Sequence, residues 1–206
     1  MSKSIGITDF MNRKFDTYPI EANWLASLGE VEKNFKMILY GRPGNGKTEY
    51  ALQLTKYFAQ FTRVYYNSFE QGISKTLQDA LKRNQMQEVA GRVVFADRET
   101  FEEVMARLHK KNSPMIVILD SRDYLNLTTA QFKLMTHAFP RKAFIIICWE
   151  SGGKPKGEYA KSIEYMCDIK AHVSGFVMHP RSRFGGNENF VIWDRKPVIG
   201  SQFKIF

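Results

Sequence analysis

Short apolar runs alternate along the chain with segments in which apolar residues recur every three or four positions. The runs have the length and the β-branched or aromatic content of buried strands, and the periodic segments have the spacing of helices with one buried face. The predicted strands span residues 36–41, 63–67, 92–96, 115–119 and 144–149. The predicted helices span residues 47–60, 71–87, 99–111 and 128–139. Because the strands are apolar on both faces, this order predicts an α/β fold with a mostly parallel central sheet covered by helices on both sides.

The pattern changes after residue 168. Ile169–Met178 and Asn189–Trp193 have strand character, and Gly185-Gly186-Asn187 between them predicts a tight turn. We therefore expect an antiparallel extension at the C-terminal edge of the sheet.

The N-terminal segment, residues 1–35, is mixed in composition and only weakly periodic. We interpret it as an arm or cap on one main domain, residues 36–206. Phe10, Tyr18, Trp24 and Leu25 make it too apolar for a free tail, so it could pack on a neighbouring subunit.

Composition bounds the class of protein and of partner. Apolar residues make up 44% and charged residues 25% of the 206 residues, which is ordinary for one soluble globular domain. No run approaches the roughly 20 apolar residues of a membrane span, and the N-terminus has no secretory pattern. The net charge of +9, from 30 basic and 21 acidic residues, favours a polyanionic partner such as nucleic acid, although solubility alone is the simpler interpretation.

A glycine-rich loop follows the first predicted strand and opens the first predicted helix. It matches the pattern G-x-x-x-x-G-K-[ST] through Gly41, Arg42, Pro43, Gly44, Asn45, Gly46, Lys47 and Thr48. Glycines let the backbone wrap around phosphate, and the helix N-terminus directs N–H groups at the same anion. Lys47 is expected to reach the β- and γ-phosphates and Thr48 to hold magnesium. The loop predicts a chain that binds ATP with Mg²⁺ and hydrolyses it.

Three carboxylates follow predicted strands and so belong at the carboxyl edge of the sheet, where ligands bind. Asp120 could hold magnesium through water, or simply cap the next turn. Glu70 could orient and deprotonate the attacking water, or open a surface helix. Glu150 could sense the γ-phosphate through a hydrogen bond, or be an ordinary loop carboxylate.

These elements in this order resemble the RecA-type ATPase core shared by RecA, RadA and DnaB, over roughly residues 30–196. Tyr66-Asn-Ser-Phe-Glu70 resembles the strand-then-glutamate segment of DnaB and RadA. Leu119-Asp120-Ser121 is similar to the Walker B aspartate-serine of RecA and RadA. The resemblance implies that Glu70 is the catalytic base and that Asp120 is the magnesium-holding aspartate.

Arg181-Ser-Arg183-Phe-Gly185 resembles the Lys-Asn-Arg-Phe-Gly motif of RadA and the Lys-x-Arg motif of DnaB. The resemblance implies that Arg181 and Arg183 reach the γ-phosphate of a neighbouring subunit, so that the protein is a homo-oligomer, either a ring or a filament. The family has lysine where this chain has Arg181. The alternative is a basic hairpin tip that faces solvent or nucleic acid.

The segment Ser151–Lys161 is similar in position to the mobile DNA-binding loop of RecA-type proteins. Its candidate DNA contacts are Lys154, Lys156, Tyr159 and Lys161, three cations for phosphates and one ring that could stack on a base. The alternative is a solvated loop of ordinary composition.

In size and arrangement the chain looks most like the minimal RecA-core ATPases of phages and mobile elements. This resemblance implies an ATPase stimulated by single-stranded DNA in recombination or replication, with a protein of those processes as a further possible partner. We expect a cytoplasmic location in a bacterium or a phage-infected host cell. The alternatives are a nucleotide-dependent switch or loader that binds a partner protein, and a kinase, which would need an arginine-rich lid that we do not identify.

Overall fold

The computed structural model describes residues 4–193. Its strands are β1 (Lys36–Gly41), β2 (Val64–Ser68), β3 (Val93–Asp97), β4 (Ile116–Asp120), β5 (Ala143–Ser151), β6 (Lys154–Pro155), β7 (Ile169–Ser174), β8 (Val177–Ser182) and β9 (Phe190–Val191). Its helices are α1 (Ile7–Met11), α2 (Ala22–Leu28), α3 (Lys47–Phe58), α4 (Lys75–Arg83), α5 (Phe101–His109), α6 (Arg122–Leu125), α7 (Thr129–Ala138) and α8 (Glu158–Met166). Among these helices, none is long and apolar enough to cross a membrane.

The strands form one mixed sheet in the order β3-β2-β4-β5-β1-β7-β8-β9, with β6 paired to β5 outside this path. The neighbouring strands from β3 to β7 run parallel. The pairs β7–β8 and β8–β9 are antiparallel. The predicted α/β class, with a mostly parallel sheet and an antiparallel C-terminal edge, is therefore confirmed.

Each face of the sheet carries its own buried core, because successive side chains of a strand point to opposite faces. On β1, Met37 and Leu39 belong to the cluster that includes α3. Ile38 and Tyr40 belong to the second cluster, which includes residues of α5, α7 and α8. Helices covering both faces explain why the central strands are continuous apolar runs rather than alternating ones.

The N-terminal segment has two parts. Residues 17–35 pack into the first core: the Tyr18 ring lies 5.1 Å from that of Phe58, and Trp24 stacks on Tyr57 at 4.9 Å. Helix α1 buries none of its residues. The division of the chain at residue 35 stays a prediction, and residues 1–3 and 194–206 lie outside the described range.

The predicted helix over 71–87 is wrong in its bounds. The Ser74 side chain accepts a hydrogen bond from Leu77 N, which starts α4 one turn later, so Ile73 is not on the buried face but 72% exposed. Gln85, at a φ of 52°, ends the regular helix, and a separate 3₁₀ turn follows at Met86–Val89.

The predicted strand Ile169–Met178 is two strands, since Ser174 pairs with Val177 across a two-residue turn at Gly175 and Phe176. Gly175 takes a φ of 55° and Phe176 one of 61°, the left-handed conformation that such hairpin turns use. The last predicted strand shortens to β9.

The predicted loop over 151–161 is also more ordered than expected. Glu150 and Ser151 pair with Pro155 and Lys154 in a small β5–β6 hairpin. Helix α8 starts at Glu158 and buries Ala160 and Ile163 against the second core, a helix that the sequence analysis missed.

Candidate nucleotide-binding site

The glycine-rich loop lies between the end of β1 and the start of α3. Gly44 and Gly46 take φ values of 77° and 99°, which L side chains rarely adopt. A Cβ at Gly46 would also come within 3.0 Å of the Phe176 ring. Because the first N–H groups of a helix have no intrahelical partner, the start of α3 offers them, with the helix dipole, to an anion in the loop.

The loop side chains hold its shape. The Lys47 ammonium donates to the carbonyl oxygens of Gly41 at 2.8 Å and Arg42 at 3.2 Å. The Asn45 amide donates to Arg42 O and Pro43 O, and its oxygen accepts from Gly175 N at 2.9 Å. The β7–β8 turn thus props the loop, and Phe176 in this turn is a site residue that the sequence analysis missed. No local motif marks it, since the contact depends on the sheet register.

Asp120 ends β4 and is buried, with 4% of its surface exposed. The Tyr66 hydroxyl donates to one carboxylate oxygen at 2.6 Å. Burial raises the pKa of Asp120 to about 6, and the nearby Glu70 adds to the rise, while the Tyr66 hydrogen bond and Lys47 oppose it. A bound cation would favour the ionised form.

Glu70 follows β2 and lies beside Asp120, because β2 and β4 are neighbours with Ser68 opposite Asp120. The backbone N–H of Glu70 donates to the Asp120 carbonyl at 2.9 Å, and its side chain is exposed. The structure therefore brings Lys47, Asp120 and Glu70 together at the carboxyl edge of the sheet. Their chemical roles stay predictions.

The oxygen ligands at this edge suit magnesium. The Asp120 carboxylate and the Thr48 hydroxyl at the start of α3 are hard oxygen donors, which Mg²⁺ prefers alongside phosphates and water. The buried Ser121 hydroxyl next to Asp120 has no hydrogen-bond partner in the described part of the chain. Within residues 4–193 no group of three His, Cys, Asp or Glu side chains forms a separate metal site.

Glu150 connects the loop with the β5–β6 hairpin. Its carboxylate accepts from His172 Nε2 at 3.1 Å and from Gly153 N at 2.9 Å, and lies 3.6 Å from Arg42 Nε. Burial alone would raise its pKa, but the His172 hydrogen bond, the Gly153 N–H and Arg42 together lower it. The residue predicted to sense γ-phosphate is thus held by three partners, of which the sequence analysis had named none as such.

The candidate DNA contacts lie at the same edge. Lys154 is in β6, and the Lys156 ammonium sits 5.0 Å above the Trp149 ring. Tyr159 and Lys161 are exposed and lie on α8, not on a loop as predicted. Three cations and a ring surround the hairpin, as expected, and their part in DNA binding stays a prediction.

Two solved structures are similar to this chain. The ATPase domain of a DnaB-like helicase has 12% sequence identity and a TM-score of 0.54, over 76% of this chain and 80% of that one. A KaiC-like protein from the hyperthermophilic archaeon Pyrococcus horikoshii OT3 has 16% identity and a TM-score of 0.60, over 86% of this chain and 93% of that one. No protein-family model and no curated protein sequence matches.

The chain has the RecA-type ATPase fold. At these identities the likeness concerns the fold alone.

Within this RecA-type fold, Arg181 and Arg183 lie far from the glycine-rich loop of their own chain. Arg183 N donates to Asp168 O, and Asp168 N donates to Lys36 O, so Arg183 is level with the first residue of β1. Lys36 and Gly41 are five residue steps apart, roughly 17 Å along the strand. The Arg183 guanidinium pairs with Asp168 at 3.1 Å and that of Arg181 lies 3.4 Å from Glu164, and both are exposed on the opposite edge.

Proposed function

We propose that this chain is an ATP hydrolase that acts as a homo-oligomer and is stimulated by single-stranded DNA. The observation that carries the proposal is the meeting of Lys47, Asp120 and Glu70 at one edge of the sheet, beside the glycine-rich loop. A phosphate-binding cation, a buried carboxylate and an exposed carboxylate are the groups that hydrolysis of a phosphoanhydride needs.

Each of these residues has a distinct task in the proposed reaction. The loop from Gly41 to Thr48 cradles the phosphates, with Lys47 between the β- and γ-phosphates. Thr48 and Asp120 hold Mg²⁺, which neutralises phosphate charge when bound. Glu70 orients a water molecule and takes its proton as the water oxygen bonds to the γ-phosphorus. The bond from that phosphorus to the bridging oxygen breaks, leaving ADP and phosphate.

The position of Arg183 supports catalysis across a subunit interface. Arg183 cannot reach the nucleotide of its own chain, but its exposed guanidinium can face a neighbour that presents the opposite edge of its sheet. A guanidinium placed there would stabilise the charge that develops on the γ-phosphate, and Arg181 would assist it. Head-to-tail contacts of this kind build a ring or a filament.

The basic β5–β6 hairpin supports a DNA partner. Glu150 links it to the glycine-rich loop through Gly153 and Arg42, so a change at the phosphates has a short path to Lys154 and Lys156. The net charge of +9 adds a general attraction to polyanions. The proposed role is accordingly in recombination or replication of DNA, in the bacterial or phage-infected cytoplasm.

ATP hydrolysis with and without single-stranded DNA tests the proposal, at a protein concentration that permits assembly. We expect DNA to raise the rate severalfold and Lys47→Ala to abolish hydrolysis. Lys154→Gln with Lys156→Gln should remove most of the stimulation and keep the basal rate. Retained hydrolysis in Lys47→Ala would refute the site. Hydrolysis indifferent to DNA would instead favour a switch or loader that binds a partner protein.

A further inference from the structure

A cleft of about 740 Å³ opens at the edge of the sheet opposite the glycine-rich loop. Its walls come from residues 13–16 after α1, residues 32–34 before β1, and residues 138–142 between α7 and β5, with Met115 beneath. The Asn34 side chain donates to Pro140 O at 3.2 Å, which ties two of these walls together. The proposed function uses none of these residues.

The lining of the cleft is strongly basic. It contains five cationic residues against two acidic ones, Asp16 and Glu32. Asp16 is already paired with Lys33 at 2.7 Å. The five cations are Arg13, Lys14, Lys33, Arg141 and Lys142.

Three of these cations are available to an incoming anion. The Lys142 ammonium is held inside the protein by Ser113 Oγ at 2.8 Å and Pro114 O at 2.7 Å. Arg13, Lys14 and Arg141 are exposed and have no acidic partner among residues 4–193. Three unpaired cations around one cleft repel one another, and a bound polyanion would relieve that repulsion.

An aromatic ring stands among the cations. Phe15 is 52% exposed, and the Arg13 guanidinium lies 5.8 Å from its ring centre. Phe139 and Met115 give the cleft an apolar floor. An exposed ring beside unpaired cations is how proteins bind single-stranded nucleic acid, with bases stacked on the ring and phosphates on the cations.

The cleft is separate from the β5–β6 hairpin. Strand β5 begins at Ala143 beside the cleft and ends at Ser151 in the hairpin, eight residue steps or about 27 Å away. No side chain of the cleft can therefore contact a strand bound only at the hairpin.

We propose that this cleft is a second binding site for single-stranded nucleic acid, in which Arg13, Lys14 and Arg141 hold phosphates and Phe15 stacks on a base. The site does not involve the nucleotide loop, so it binds without ATP. The inference stands apart from the proposed ATPase and is tested in its absence.

The experiment measures the anisotropy of a labelled oligothymidylate of about 12 nucleotides, within the range that single modules cover. The full chain is titrated without ATP at several salt concentrations. The variant Arg13→Gln/Lys14→Gln/Arg141→Gln should lose roughly tenfold or more in affinity, and its log–log salt slope should fall by about 2, because each lost phosphate contact on a single strand is worth about 0.7. Phe15→Leu should weaken binding about fivefold or more while leaving the salt slope unchanged.

The matched control is Lys82→Gln/Lys110→Gln/Lys111→Gln, which removes the same charge from exposed positions outside the cleft. Equal losses in the two triple variants would overturn the proposal, since only net charge would then matter. Equal affinity of the wild type for duplex DNA would also overturn it. A changed oligomeric state with unchanged affinity would show that the cleft binds a second copy of the chain instead. Circular dichroism and thermal melting confirm that each variant is folded.

The outcomes separate this inference from the proposed function. DNA-stimulated hydrolysis that survives in a cleft variant of unchanged affinity refutes the cleft and keeps the ATPase. Loss of affinity in the cleft variant of a protein whose hydrolysis ignores DNA keeps the cleft and refutes the stimulation.

Discussion

At the scale of single residues, the buried carboxyl of Asp120 makes stability depend on pH. Its pKa, about 6 in the fold, is above the ordinary value of 3.8. The folded protein therefore holds the proton more tightly than the unfolded chain. The stability that this proton contributes is fully present below pH 3.8 and is lost as the pH rises through 6.

Asp120→Asn should consequently stabilise the metal-free protein at neutral pH. A shift of about two pKa units corresponds to roughly 3 kcal/mol, which the wild type loses between about pH 4 and pH 7 and the variant does not. Urea unfolding of both proteins at about pH 4 and pH 8, without magnesium, measures the difference. A gain in the free energy of unfolding that is the same at both pH values would refute this origin.

The hydroxyl of Tyr66 tunes the same carboxyl. Its hydrogen bond to Asp120 lowers the pKa of that group, so Tyr66→Phe raises it, and magnesium then binds only at higher pH. We expect the acid limb of the ATPase pH profile to move up by about one unit, the size of one hydrogen bond to a charged group. Tyr65→Phe is the control, because Tyr65 loses a similar bond to Glu99 on the other face of the sheet. An equal shift in both variants would count against the assignment.

The residue scale also shows which parts of the site a sequence can reveal. The glycine-rich loop is contiguous, so its spacing alone predicted its place between strand and helix. Glu150 was identified by its position after a strand, but its partner His172 was not. The two meet because β5 and β7 both flank β1, and no local pattern encodes that register.

At the scale of elements, the ends of the helices depend on single side chains. Thr128 caps α7 by accepting from Gln131 N at 3.2 Å, while the Gln131 side chain accepts from Thr128 N at 3.0 Å. This capping box satisfies two N–H groups that the helix cannot.

Thr128→Ala should therefore lower the free energy of unfolding by about 1 kcal/mol. Thr129→Ala is the matched control, since Thr129 is the first residue of α7 and is outside the capping box. Chemical denaturation of the two variants measures the contrast. Similar losses in both would show that threonine packing, rather than capping, stabilises this end.

Other element boundaries escaped the sequence because tertiary contacts decide them. The apolar run from Ile169 to Met178 has the pattern of one strand, but the two residues at its centre turn the chain back. Phe176 at that turn packs against Gly46 of the glycine-rich loop, a contact from far along the chain. Similarly, Ala160 and Ile163 predict a helix only when the core that they cover is known.

At the scale of the whole molecule, the sheet separates two sets of residues. Glu70 and Lys47 lie at its carboxyl edge, and Arg183 lies level with the opposite end of β1. The sequence predicted one active site for all of them only through the resemblance to RecA-type proteins. In a single chain they are apart, so the proposed site is complete only between two copies.

Mixed oligomers test this division of labour. Arg183→Ala and Glu70→Ala should each lose most of their ATPase activity. In an equal mixture, about a quarter of the head-to-tail interfaces combine Glu70 from one variant with Arg183 from the other and are intact. The mixture should recover activity towards that fraction of the wild-type rate.

The control mixture is Lys47→Ala with Glu70→Ala. Both of these residues belong to the same side of an interface, so no combination of the two variants restores a complete site, and the mixture should stay inactive. Recovery in both mixtures would point to subunit exchange effects unrelated to the interface. No recovery with Arg183→Ala at any ratio, in oligomers shown to contain both variants, would mean that Arg183 does not act on a neighbour's nucleotide, and its pairing with Asp168 would then be the whole of its role.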